Sequence, residues 1–124
     1  MFNFSGTRPN NLGVKEGKLA ACPGSPNCVS SQSEDPQSKI DPLPYISIGD
    51  LKNIIANMER TTIIEATDNY LYAEFKSKLM GYVDDVEFYL DSETNVVQVR
   101  SASRLGKSDL GVNRQRIEEI RAQL

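Results

Sequence analysis

The sequence predicts an α+β fold. We expect a two-layer sandwich: a four-stranded antiparallel meander, with one helix before it and one after it in the chain. Two observations predict this. Along residues 47–124 the apolar period switches from 3.6 to 2 and back to 3.6. The four period-2 segments follow one another with short turn signals between them, as in a meander. A third observation sets the domain plan. All six prolines fall in the first 44 residues, where no helical or strand period persists. Residues 1–46 therefore read as an irregular Pro-rich arm and residues 47–124 as the α+β domain. A chain of 124 residues has room for one core.

The first helix opens at Ser47. Ser47 and Asp50 form an S-x-x-D pattern resembling a capping box. Ile48, Leu51, Ile54, Ile55 and Met58 then share one face at 3–4 residue spacing. Thr61, Thr62, Ile63 and Ile64 favour a strand, and Thr67-Asp68-Asn69 a turn. In the second strand Leu71, Ala73 and Phe75 alternate with Tyr70, Tyr72, Glu74 and Lys76. In the third, Val86, Phe88 and Leu90 point inward, with Asp85, Glu87 and Tyr89 outward. After a turn at 91–95, Val97 and Val99 point inward, with Gln98, Arg100 and Ala102 opposite. The closing helix carries Ile117, Ile120 and Leu124 on one stripe, with Asp109 or Asn113 as its expected N-cap. In the arm, Leu12, Val14, Leu19, Ile40, Leu43, Tyr45 and Ile46 are expected anchors, the first ten or so residues staying loose.

Composition removes several function classes. The chain has no His, which excludes a Ser-His-Asp triad, a Cys-His pair and a His-liganded metal. No cofactor is expected, since no Walker or G-x-G-x-x-G pattern occurs. The net charge of −3 argues against a nucleic-acid partner. No run approaches the ~20 apolar residues of an integral membrane span, and residues 1–11 lack the apolar region of a secretory signal. A soluble protein of the cytoplasm or a plastid is the expectation.

Three clusters can carry chemistry. Cys22 and Cys28 bracket a loop of turn formers. A disulfide, reduced structural thiols and a redox or metal role all fit, although a structural zinc site lacks ligands. The second cluster is Arg100, Ser101, Ser103, Arg104, Ser108, Asp109, Asn113 and Arg114, between the last strand and the last helix. It suits an anion, or simply a sharp strand-to-helix turn. The third is Asp84-Asp85. Neighbours on a strand face opposite ways, so an inward Asp84 needs a partner, for which Arg100 or Arg104 is the candidate. Counting out from a hairpin centred near residue 93 places Asp85 opposite about 101 and Asp84 opposite about 102. Tyr70, Tyr72 and Tyr89 on the outward face suggest a covered surface or a partner platform.

Three segments together resemble a known family: CPGSPNCVSSQ, KLMGYVDDVEFYLD and VRSASRLGKSDLGVNRQRIEEIR, in this order. They resemble the family catalogued as domain of unknown function number 1499, over residues 10 to 124. The start GTRPNNLGVKEGKL is similar to its cyanobacterial and plastid branch. The resemblance implies that Asp84, Asp85, Arg100, Ser101, Ser103, Arg104, Asp109, Gly111, Asn113 and Arg114 belong to the family pattern. It implies no reaction. The first expectation is thus a binding or assembly module meeting an unknown protein partner, with the absent catalytic pairs weighing against an enzyme. The alternative is a small enzyme or a binder of a small anionic ligand using the Asp/Arg/Ser patch. A thiol sensor on Cys22 and Cys28 comes third.

Overall fold

Period-2 alternation through residues 70–103 creates a sheet with one apolar and one polar face, and each face is covered by different parts of the chain. A computed structural model describes residues 6–24, 27–77, 81–105 and 111–124. Its elements in chain order are β1 (Cys28–Ser30), β2 (Leu43–Pro44), α1 (Ile48–Ala56), β3 (Thr61–Ala66), β4 (Tyr70–Lys76), β5 (Val83–Asp91), β6 (Val96–Ser103) and α2 (Val112–Ala122).

Strands β3, β4, β5 and β6 pair antiparallel with their neighbours in sequence. The sheet has six strands rather than the expected four, because β1 and β2 of the arm both pair with β6. Without them β6 would be a bare edge whose main-chain groups lack partners. The described arm is therefore irregular apart from these two short strands and isolated bridges.

The apolar face carries Leu71, Ala73, Phe75, Val86, Phe88, Val97 and Val99. It packs on Leu51 and Ile55 of α1 and on Ile117 and Ile120 of α2, with Val29, Ile40 and Leu43 of the arm closing the sides. Each such side chain contributes roughly 1.5–3 kcal/mol when fully buried. Ser47 caps α1, accepting from the Asp50 N–H at 3.1 Å. At α2 the expectation fails. Gly111 occupies the N-cap position at φ 82°, a left-handed conformation that a residue without Cβ adopts freely. Asn113 lies inside the helix, fully buried, and Asp109 lies outside the described residues.

The polar face is covered by the arm itself. Leu12, Val14 and Leu19 pack against Tyr70, Tyr72 and Tyr89. The protein thus has a layer on each side of the sheet, helices on one and the arm on the other. Tyr45, an expected anchor, is 49% exposed. Looseness over the first ten residues does not hold at Arg8, which binds Glu74.

Candidate functional site

Register decides which charges meet. The β5–β6 hairpin is centred between residues 93 and 94, so Asp85 pairs with Ala102 and Asp84 with Ser103, one place beyond the expected count. Asp84 faces the helices and Asp85 the arm. Asp84 is bound by Arg116 of α2 at 2.7 Å, not by Arg100 or Arg104. The reason is parity: Arg100 and Arg104 stand on the polar face with Asp85. The Arg116 guanidinium also lies 4.9 Å from the centre of the Phe75 ring. Its position beside Ile117 was the available signal, since a long cation flanking an apolar stripe can reach across buried surface.

Ser101 and Ser103 also face the helices, and Asn113 ties them together. Its amide carbonyl accepts from Ser101 Oγ at 2.5 Å, and its amide NH2 donates to Ser103 Oγ at 2.9 Å and to the Asn27 carbonyl at 3.2 Å. Arg114 donates to the carbonyls of Lys39 and Gln37, clamping the arm to α2. Ser101, Asn113 and Arg114 are therefore occupied with holding α2, β6 and the arm together. Ser108 and Asp109 lie outside the described residues.

Three arginines and three carboxylates meet on the polar face. Arg104 is bound by two carboxylates. Its Nε and Nη2 grip the two oxygens of Asp85 at 2.9 and 2.8 Å, and Nη2 reaches Glu74 at 2.6 Å. Arg8 binds the same Glu74 oxygen at 2.6 Å. Tyr72 donates to Asp85 at 2.5 Å. The hydrogen bond to Asp85 holds the Arg104 pKa above its usual value against the opposing effect of burial. Burial pushes the Glu74 carboxyl up, but the bonds from Arg8 and Arg104 outweigh it and the net shift is downward. Burial first, and the neighbouring carboxylates second, hold the phenols of Tyr70 and Tyr72 protonated well beyond their usual range.

Arg100 differs. It is buried, with 5% of its side chain exposed, and its register partner Glu87 is fully buried. Their closest approach, Nη1 to Oε1, is 3.9 Å, too long for a hydrogen bond. Nη2 donates to the Ala21 carbonyl at 3.3 Å. Arg100 Nε and Glu87 Oε1 have no hydrogen-bond partner among the described residues. The other Glu87 oxygen accepts from Tyr70 at 2.6 Å and from the Gly13 N–H at 2.7 Å. Burial raises the Glu87 pKa, and the bonds from Tyr70 and Gly13 offset it only in part. Burial likewise lowers that of Arg100.

A cavity of about 390 Å³ opens between arm and sheet beside these groups. Asp85, Arg100, Ser103 and Arg104 form its sheet side, with Ala21, Cys22 and Asn27 on the arm side. Cys22 and Cys28 form a disulfide, with Cα atoms 5.6 Å apart. It fixes the cavity wall at Cys22 to β1. Sequence reasoning put Glu87 on the outward face within reach of Arg100 but left it out of the candidate site, and it missed Glu74, Arg8 and Arg116. The pairing of Glu87 with Arg100 is legible from an acid between Val86 and Phe88 that faces Arg100 across the hairpin. Arg8 gave no such signal, because an irregular arm has no periodicity to place it.

The family described as protein of unknown function (DUF1499) matches residues 18–124. The chain belongs to this family. The DUF1499 match includes both cysteines and every described candidate residue, whereas Arg8 and Gly13 precede it. No curated protein and no solved structure shows a match. Among the described residues, no helix is long and apolar enough to cross a membrane.

Proposed function

We propose that this DUF1499 protein binds a small carboxylate ligand in the cavity between arm and sheet, with Arg100 as the anchoring group. One observation carries the reading: a guanidinium buried against the cavity keeps an Nε–H with no partner among the described residues. Leaving a buried polar group unsatisfied costs about 1–3 kcal/mol, more when it is charged. A carboxylate on the Nε side of the fork would recover that loss through charge-assisted hydrogen bonds. Among the described residues the cavity lining carries two cations, Arg100 and Arg104, against one acid, Asp85, which suits a monoanion. Its volume falls in the usual range for small-molecule sites. Arg104 serves as the positioning residue, since its donors are committed to Asp85 and Glu74. The tyrosine face offers less to a protein partner, because Tyr70 and Tyr72 are buried beneath the arm.

The test is calorimetric titration of the full chain with a panel of small mono- and dicarboxylates and their uncharged amides. Wild type should bind at least one acid and not its amide, and Arg100→Met should lose that binding while staying folded. A panel without binders, or binding unchanged in Arg100→Met, would refute the reading.

A further inference from the structure

A second cleft, of about 550 Å³, lies on the same face between Arg8 and the ends of β3, β4 and β5. Its floor is a row of cations. Lys76 pairs with Val83 across β4 and β5. The Lys76 N–H donates to the Arg60 carbonyl at 2.9 Å, and the Arg104 N–H to the Val83 carbonyl at 3.3 Å. Arg60, Lys76, Val83 and Arg104 therefore stand side by side across four successive chain segments, and all four line the cleft. Like charges placed opposite each other across a sheet repel and destabilise it.

Asp85 and Glu74 offset Arg104, so the weakly compensated part of the row is Arg60 and Lys76. Among the described residues Glu74 is the one acid lining the cleft, and it is already shared by Arg8 and Arg104. Glu59 meets Arg60 at 3.0 Å, but its side chain is 84% exposed, and such surface pairs hold weakly. Lys76 has no acidic partner among the described residues. Among the described residues, four cations and one acid thus line one cleft of a chain whose net charge is −3. The backbone at Arg60 adds a second observation. Its φ is 55°, in the left-handed region where Gly or Asn sits most easily. A charged side chain is kept here at a conformational cost.

We infer that this cleft binds the phosphate group of a phosphorylated small molecule, with Arg60 and Lys76 as its principal ligands. Lys supplies a compact point charge and Arg a planar fork, a pairing suited to a tetrahedral dianion, and the Thr62 hydroxyl in the lining adds a donor. The cleft is larger than phosphate alone requires, which leaves room for the organic part. This site does not depend on the Arg100 cavity.

The probes are inorganic phosphate and pyrophosphate, titrated into the ¹⁵N-labelled full chain against sodium chloride at matched ionic strength. Backbone amide shifts at Thr62, Lys76 and Val83 should saturate with pyrophosphate and not with chloride. The apparent dissociation constant should rise at least tenfold in Lys76→Ala and in Arg60→Gly and stay unchanged in Arg100→Met. Arg60→Gly should melt no lower than wild type, because glycine relieves the left-handed backbone, so its loss of binding cannot be a folding defect. Shifts that do not saturate, that chloride reproduces, or that persist in both cleft variants would overturn the assignment.

Discussion

Replacing Arg104 and Arg100 in turn by methionine should give unequal results, although both stand on the arm side of the sheet, Arg100 within β6 and Arg104 just past its end. Arg104→Met removes three short charge-assisted hydrogen bonds, two to Asp85 and one to Glu74. Asp85 is 1% exposed and would keep only the Tyr72 hydroxyl among these partners. Breaking a buried pair by removing one member costs about 3–5 kcal/mol, since the remaining charge stays desolvated. With an unfolding entropy of about 2.1 cal/mol/K per residue, a chain of this length loses roughly 4 °C per kcal/mol, so the melting temperature should fall by about 11–19 °C. Arg100→Met removes a 3.3 Å bond and a 3.9 Å ion pair. It also removes a buried charge whose desolvation those contacts compensate poorly, and methionine preserves most of the volume. Removing one member of a buried pair leaves the other charge uncompensated. Glu87, however, keeps its bonds from Tyr70 and Gly13, and its raised pKa eases uptake of a proton. A loss smaller than for Arg104, below about 3 kcal/mol, is therefore expected. Urea denaturation read by circular dichroism measures both. An Arg100 variant less stable than the Arg104 variant would refute this division of roles.

Three further outcomes follow from the same contacts. The ¹³C-detected titration of Glu87 should have its midpoint above the usual Glu value of about 4.3. A raised folded pKa contributes stability below the unfolded value and loses it as pH rises through the folded midpoint, the reverse of Glu74; a midpoint at or below 4.3 would contradict the burial effect. Cys22→Ser/Cys28→Ser should unfold about 2 kcal/mol more easily, as the chain-entropy relation gives for so short a loop, yet remain folded at room temperature; loss of the folded baseline would show that the bridge is essential. Asn113→Ala should cost about 2–3 kcal/mol in denaturant titration, because Ser101, Ser103 and the Asn27 carbonyl each lose a buried partner; a neutral result would mean that these groups find other partners.

Much of the sheet was legible because period-2 alternation is local. Val86, Phe88, Val97 and Val99 declare one face, and Asp85, Glu87 and Arg100 the other, without knowledge of the rest of the chain. The register was legible to within one residue, the uncertainty that an unknown turn type leaves. The partner of Asp84 was not, since pairing with Arg116 depends on how α2 docks, and helix docking leaves no local trace in the sequence. The arm was harder still. Its few apolar anchors show that it touches the body, but not that Gly13 would reach Glu87, or Arg8 Glu74, from more than sixty residues away. Asn113 reads as a cap from its side-chain chemistry, and its burial inside α2 follows from the serines that β6 turns toward it.

The most direct measurement is of the Arg100 Nε–H itself, in ¹H–¹⁵N spectra of the arginine side chains. Without ligand, Arg104 Nε–H should be slow to exchange, held on Asp85 at 2.9 Å, while Arg100 Nε–H exchanges faster. On adding the acid selected from the carboxylate panel, the Arg100 signal alone should shift and become protected. Equal protection of both signals before ligand, or a ligand that protects neither, would contradict the assignment of Arg100 as the anchor.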